Sequence, residues 1–368
     1  MRYTREDGCI AWLAGGRLSY GCFSNLLNDF SSAEAVYEAL MTNGTDALQD
    51  YIPSEHLQKL KASASRDAMH HLMLTLQEHN IGVLQPDSSH YPELLRQISD
   101  PPLALFYRGN PDCLDGKCIT VVGSRKASPS GIQATVKLAK ELSEAGVTIV
   151  SGMALGIDAA AHQGCLEGGS PTAAVLGCGL DIDYPVENAP LKKRLLEQNG
   201  VLLSEYPPGT PALPHHFPVR NRILSGVSKA IIMMECRKNS GSMHTVQHAL
   251  DQGREVYAYP GKIDTDWAAG AHQLLREGAN YFTTSADILS DMGWTGDTRV
   301  KQEEAKKVLP PLTETQRTVL KAVTGEEKSF DQLAAETGFS VSELSGTLTM
   351  LQLMGLIRSL PGKMYIRI

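Results

Sequence analysis

The sequence predicts a doubly wound α/β core with a small helical domain before it and a winged-helix domain after it. Three observations carry this reading. From about Pro102 to Leu289, short apolar runs alternate with amphipathic segments. The runs lack polar alternation, as strands buried on both faces of a parallel sheet do, and the segments between them suit crossover helices. Residues 312–368 then compress three short helical patterns and a strand-like pair into one small block.

Residues 1–92 form the first predicted domain. Ile10-Ala-Trp-Leu13, Leu26-Leu27 with Phe30, Ala35-Val36 with Leu40, and Leu72, Leu74 and Leu76 recur at helical spacings. Ser31-Ser-Ala-Glu34 reads as a capping signal before Val36. The core is placed at 93–295. Its strands are expected at Ile119–Val122, Thr148–Val150, Thr172–Leu176, Val201–Leu203, Ala230–Met234 and Glu255–Tyr259. In such a sheet, ligands sit beyond the carboxyl ends of the strands.

A charged, proline-ended linker is expected over 296–311. Beyond it, helices at Glu314–Val323, Phe330–Glu336 and Ser340–Met354 precede a hairpin of Leu356–Leu360 and Lys363–Ile368 turning at Pro361-Gly362. That is the winged-helix pattern.

Composition narrows the function classes. The 368 residues are 42% hydrophobic and 20% charged, an ordinary globular balance long enough for two or three domains. No apolar run approaches the ~18 residues of a membrane span, and Met1–Gly15 has no signal-peptide core, so a cytoplasmic protein with no membrane association is expected. The seven cysteines (Cys9, Cys22, Cys113, Cys118, Cys165, Cys178, Cys236) contain no CxxC pair and read as reduced, packed thiols. The net charge of −7 is unevenly spread. Residues 1–100 hold 7 Lys+Arg against 13 Asp+Glu, 312–368 hold 6 against 6, and 101–311 therefore 21 against 22. A near-neutral middle leaves room for a local basic groove, because phosphate binding depends on charges within about a Debye length.

The unusual residues cluster just after the predicted strands. Gly123-Ser124-Arg125 offers close backbone approach, free amides and a bidentate cation; by itself it could equally be a tight turn with a surface arginine. Ser151-Gly152 opens a bare, amide-rich helix start that runs to Asp158 and His162. These two lie four apart on one helix face, and they suit a hydrogen bond fixing the helix start better than an acid/base pair. No GxGxxG motif and no Walker lysine follows any glycine loop, which argues against a hydrolysed triphosphate. Lys192-Lys193-Arg194 is either a solvated helix face or, through Lys192, a phosphate contact.

The richest stretch is His216–Gly226. Pro218 is expected at the first helical position. At about 100° per residue, Val219, Ile223 and Val227 then form the core stripe. Asn221, Arg222 and Ser225 face the crevice, and Arg220 is tethered near the core to a carboxylate such as Glu205 or Glu235. Phe217 reads as a hydrophobic staple or as a ring on which a base stacks. Ser240-Gly241-Ser242 supplies a further amide cradle. Convergent cradles and arginines with no obvious nucleophile favour holding a polyanion.

These blocks, in this order, closely resemble the DNA-processing protein A family (DprA, also called Smf). The resemblance rests on Val121–Arg125, Ser151–Asp158 with Ala161-His162, Leu203–Glu205, Phe217–Arg222 with Ser225-Gly226, Ser240–Ser242, and Gly253-Arg254 to Pro260-Gly261. It covers roughly residues 85–290. It implies an extended Rossmann-like core flanked by an N-terminal SAM-like helical domain and a C-terminal winged helix. It also implies a non-enzymatic, cofactor-free homodimer that binds and protects incoming single-stranded DNA and loads the RecA recombinase during natural transformation. The family's DNA pocket maps onto Arg125, Ser151, Gly152, Phe217, Arg220, Asn221 and Arg222. Its self-association surface maps onto His272, Leu275 and Tyr281. Leu155 stands where many members carry a basic residue.

Two other readings compete. A nucleotide hydrolase of the phosphoribohydrolase type has a motif that Ser240–His248 superficially resembles, but His248 occupies the place of the catalytic glutamate. A duplex-reading winged helix is disfavoured because Ser340–Leu353 contains no Lys or Arg.

Overall fold

The computed structural model describes residues 3–238, 240–262, 265–295, 312–324, 328–354, 356–360 and 364–367. The chain divides into two compact units, Met1–Gly296 and Asp297–Ile368.

The first unit begins with five helices: α1 (Arg5–Gly15), α2 (Tyr20–Phe30), α3 (Ala33–Asn43), α4 (Ser54–Ser63) and α5 (Arg66–Glu78). All but α4 start at a side-chain cap. Thr4, Ser19, Ser32 and Ser65 each accept a hydrogen bond from a first-turn amide. Glu6 adds a long-range cap, its carboxylate accepting from the Ala33 and Glu34 amides at 2.8 Å each. These helices do not close a core by themselves. Trp12, Tyr37, Leu40 and Leu57 share one apolar cluster with Ala174, Leu176 and Leu202 of the sheet that follows.

That sheet has nine strands, with crossing helices between them. In chain order the elements are β1 (Gly82–Leu84), α6 (Glu93–Arg96), β2 (Leu105–Gly109), β3 (Lys117–Val122), α7 (Pro129–Glu144), β4 (Val147–Ser151), α8 (Ile157–Gly168) and β5 (Thr172–Leu176). There follow α9 (Ala189–Glu197), β6 (Val201–Ser204), α10 (His216–Gly226), β7 (Ala230–Met233), α11 (Met243–Asp251), β8 (Glu255–Ala258), α12 (Ala269–Arg276), β9 (Asn280–Tyr281) and α13 (Ser285–Asp291). The spatial order is β1-β2-β6-β5-β4-β3-β7-β8-β9.

The six predicted strands are present and mutually parallel, each within about two residues of its expected ends. Their lack of alternation has the expected cause. Val122, Val150, Ile231 and Met233 pack on one face, while Val121, Ile149, Ile232 and Met234 pack on the other. Two corrections apply. The sheet is mixed, because β2 pairs antiparallel with β6, Phe106 opposite Ser204, and β1 in turn pairs antiparallel with β2. Residues 1–92 are accordingly not all helical, since Gly82–Leu84 is a strand. An antiparallel edge strand needs no crossover helix, so it leaves no βαβ rhythm to read.

The second unit contains α14 (Glu314–Ala322), β10 (Lys328–Ser329), α15 (Phe330–Thr337), α16 (Val341–Leu353), β11 (Ile357–Leu360) and β12 (Met364–Arg367). The strands form an antiparallel sheet in the order β10-β12-β11. Val319, Leu333, Leu344, Leu348 and Ile357 make its core. The expected linker at 296–311 and the turn at Pro361-Gly362 lie outside the described residues. The seven cysteines are free thiols, five of them buried. Among the described residues no helix is long and apolar enough to cross a membrane.

Candidate functional site

The chain leaves β3 toward β4, β5 and β6, then crosses back to place β7 on the other side of β3. The loops that follow β3 and β7 therefore part company at a topological switch point, and a crevice opens beyond their carboxyl ends. It encloses about 470 Å³ and is walled by Gly123–Arg125, by Phe217, Arg220 and Asn221 of α10, and by Ser240–Ser242. Four cations (Arg125, Lys126, Arg220, Arg237) and one carboxylate (Asp158) line it, so it suits an anion.

The walls are held by backbone. The Ser124 amide donates to the Glu235 carbonyl at 2.6 Å, and the Ile157 amide donates to the Ser124 carbonyl at 3.2 Å. Gly156 makes the second contact possible. It has φ +78°, and a Cβ there would lie 2.4 Å from the Ser124 carbonyl oxygen. Ser128 caps α7 through the Gly131 amide at 3.0 Å. Glu235 in turn accepts from the Ser128 amide at 2.7 Å and its hydroxyl at 2.5 Å.

Phe217 stands half-buried at the crevice mouth. The Arg125 guanidinium sits 5.3 Å from its ring centroid, Arg220 lies at 5.9 Å, and the Tyr184 ring at 5.5 Å. Arg125 is exposed, so its charge is available to a ligand. Across the crevice, the Ser240 and Ser242 hydroxyls bond each other at 2.7 Å, and Asn221 Nδ2 reaches the Gly241 carbonyl at 3.5 Å. Thus Gly123, Ser124, Arg125, Phe217, Arg220, Asn221, Ser240, Gly241 and Ser242 are brought together as the sequence predicted.

Four expected site residues stand elsewhere. Arg222 does not line this crevice. Its Nη1 and Nη2 donate to the two Glu205 carboxylate oxygens at 2.8 and 2.5 Å, and its Nε donates to Asp100. It walls a separate cavity of about 570 Å³ with Arg17, Tyr206 and Asp100. Ser151 is fully buried and donates to the Val121 carbonyl at 2.6 Å. Gly152 lies behind Phe217, in a small cavity of about 90 Å³. Lys192 is 5% exposed; it donates to the Ile182 carbonyl at 3.2 Å and pairs with Asp183 at 3.5 Å, so it pins a loop rather than facing a ligand.

Both arginines depart from expectation: Arg222 takes Glu205, the carboxylate expected for Arg220, instead of facing the crevice. Arg220 lies beside neither Glu205 nor Glu235. It is buried against Asp158 and donates to the Gly152 carbonyl at 3.1 Å and to the Val175 carbonyl. The helix begins at His216, two residues before the expected Pro218. Its inner face carries Arg220, Ile223, Leu224 and Val227, whereas Val219 is 47% exposed. The physical reason is that a charged side chain took an inner position because a buried carboxylate and two carbonyls were waiting for it. Asn221, Arg222 and Ser225 consequently share no crevice face. Asn221 lies on the crevice flank, Arg222 on the far one, and Ser225 is fully buried.

Burial lowers Arg220 to about 10, still above neutral pH, and pushes Asp158 upward against the pull of Arg220 and two amides. Asp158 accepts from Gly152 and Ala154 at 3.2 and 3.3 Å, which is the helix-start role. Its neighbour along the helix, His162, instead bonds the Thr172 hydroxyl at 2.8 Å, and burial pushes its imidazole down to about 3. His162 Nε2 and Arg220 Nε are buried without a hydrogen-bond partner among the described residues.

Sequence reasoning missed Lys126, Arg237, Thr245 and Trp267, all of which line the crevice. Arg237 was findable, since it follows a strand as Arg125 does. Trp267 lies in an irregular loop with no motif to mark it. The residues expected to self-associate lie on α12 and at the β9 edge of the sheet. His272 on α12 meets the Pro260 carbonyl, Leu275 packs half-buried, and Tyr281 is 59% exposed on edge strand β9.

These features define a Rossmann-like α/β protein with an arginine-lined crevice at its switch point and an appended winged helix. Residues 82–293 match the model of the DNA recombination-mediator protein A family, and 303–363 match that of the DprA winged helix domain. The chain belongs to the DprA/Smf family. It is 36% identical over 313 residues to Protein Smf of Escherichia coli, covering 83% of this chain and 82% of that one. It is 43% identical over 204 residues to the DNA processing protein DprA of Streptococcus pneumoniae, covering 55% and 71%. The crystal structure of the S. pneumoniae protein superposes with a TM-score of 0.65 at 34% identity, covering 79% of this chain and 99% of that one. A structure of the Helicobacter pylori protein, described for its single-stranded DNA binding mode, gives 0.52 at 28% identity, covering 58% and 95%.

Proposed function

We propose that this protein holds single-stranded DNA in the β3/β7 crevice and acts by binding rather than by catalysis. The observation that carries the reading is the juxtaposition of a half-buried ring, Phe217, with an exposed cation 5.3 Å away and two amide-rich turns. A base has a face to stack on there, and phosphates have donors on both sides. Duplex DNA hides its base faces, so the crevice favours an unpaired strand. The single-strand binding described for the H. pylori relative supports this reading. The phosphoribohydrolase alternative gains no support, because Asp158 and His162 are committed to internal bonds and His248 stands in the glutamate position.

In the same proposal the protein works as a homodimer, through the surface holding His272, Leu275 and Tyr281, and passes the strand to RecA during natural transformation. The support is an exposed aromatic ring, since Tyr281 stands 59% exposed on the last strand of the sheet, and aromatic side chains are enriched where protein surfaces meet.

Fluorescence anisotropy with labelled single-stranded DNA, duplex DNA and RNA, alongside light scattering, tests the binding and the stoichiometry. Tight binding to single strands, weaker binding to duplex and a dimeric mass are expected. Equal affinity for duplex, or release of free base from nucleoside monophosphates, would overturn the reading. RecA loading is tested by the rate of RecA filament formation on the bound strand; no acceleration would remove that part of the proposal.

A further inference from the structure

The crevice has a second ring that the reading above does not use. Trp267, in the loop before α12, lines the same crevice as Phe217 and the Ser240–Ser242 turn. The Arg237 guanidinium, at the carboxyl end of β7, lies 4.6 Å from its ring centroid. The crevice therefore carries two arginine-on-ring pairs, Arg125 with Phe217 and Arg237 with Trp267. Trp267 is half-buried while Arg237 is exposed, so the ring is fixed and the cation is free to move.

We propose that Trp267 is a second base-stacking platform, a proposal that rests on the single-strand reading. When a strand enters, a base replaces the Arg237 guanidinium on the indole face, and the guanidinium turns to a phosphate. The exchange is downhill, because a solvent-exposed cation–π contact is weaker than a base stack and a guanidinium bonds a phosphate in bidentate fashion. Two rings would then hold bases with the phosphate between them on the Ser240–Ser242 amides. Stacking reads no sequence, since every base offers a face.

Tryptophan emission reports this directly. The other two tryptophans lie away from the crevice: Trp12 is buried and donates to the Leu60 carbonyl, and Trp294 packs beneath Lys117 and Lys229. Titrating the full chain with oligo-thymidylate should quench emission. The Trp267→Phe variant should bind with similar affinity yet lose the quench, and Trp267→Ala should bind about 5- to 100-fold more weakly. A quench retained in Trp267→Phe, or unchanged affinity in Trp267→Ala, overturns the second platform while leaving the single-strand reading intact. If the parent chain shows no anisotropy change with oligo-thymidylate, both fall together.

Discussion

Arg222 grips Glu205 with both terminal nitrogens, Nη1 to Oε2 at 2.8 Å and Nη2 to Oε1 at 2.5 Å, and the two side chains are only 11% and 24% exposed. A basic residue in the most DNA-like stretch of the sequence is thus a clamp joining α10 to the segment after β6. Burial alone would disfavour the charge, but the two carboxylates around Arg222 hold its pKa above the ordinary arginine value.

Arg222→Ala therefore acts first on stability. It leaves Glu205 without its partner and should cost about 2–4 kcal/mol in urea unfolding. The paired replacement Arg222→Met/Glu205→Leu should recover most of that loss, because neither charge is then left alone. Folded Arg222→Ala should bind single-stranded DNA almost as the parent does. A normal unfolding midpoint combined with lost binding would return Arg222 to the DNA.

Arg125→Ala should do the opposite. The side chain is exposed and stabilises little, so the unfolding midpoint should hold while single-strand affinity falls. Losing one phosphate contact should reduce the slope of log affinity against log salt by about 0.7. An unchanged slope would mean that Arg125 touches no phosphate.

Leu155→Lys tests the same electrostatics by addition. Leu155 is 39% exposed and lines the cavity behind Arg125 and Phe217. A lysine there should tighten single-strand binding and steepen the salt slope by about 0.7. Weaker binding in low salt would show that this rim does not face the strand.

Acid should destabilise the fold through His162. Its folded-state pKa is pushed down to about 3, so as pH falls below about 6.5 the unfolded chain takes up a proton that the folded chain refuses. Stability is present above that value and is lost between about 6.5 and 3, at up to about 1.4 kcal/mol per pH unit. Asp158, raised by burial, pulls the other way at lower pH, and it does so in both proteins compared. Urea midpoints measured from neutral pH to about 5 should fall less steeply in His162→Gln than in the parent; parallel curves would contradict the assignment.

Removing residues 297–368 should leave single-strand affinity largely intact, because α16 presents no Lys or Arg. A loss beyond about tenfold, the equivalent of 1.4 kcal/mol, would place strand contacts in the winged helix.

The reach of the sequence can be followed residue by residue. Val121, Val122, Ile231 and Ile232 revealed their strands because both faces of the sheet are apolar and leave uninterrupted runs. Leu105–Gly109 escaped because a strand that joins the sheet antiparallel has no crossover rhythm around it. Glycine- and serine-rich turns after β3, β4 and β7 pointed to the crevice through backbone demands that only a few residue types meet, as at Gly156 after β4. The two arginines were misassigned because a helical wheel ranks positions by hydropathy. It cannot register that Asp158, far away in sequence, makes an inner position hospitable to a cation. Trp267 was invisible for a related reason: a ring in an irregular loop acquires a role only from what the fold brings beside it.

The apolar cluster shared by the N-terminal helices and the sheet has a consequence for biosynthesis. Trp12, Tyr37 and Leu57 leave the ribosome long before Ala174 and Leu202, which share their cluster, and β2 likewise waits for its later partner β6. The nascent helices must keep an oily face open while the chain from the end of α5 at Glu78 to Leu202 is translated, the interval in which unpaired strands and apolar surface invite aggregation. A fragment ending after α5 should therefore be sticky in isolation, and full-length yield in cells should respond to translation rate and chaperone supply more than the finished protein's stability suggests.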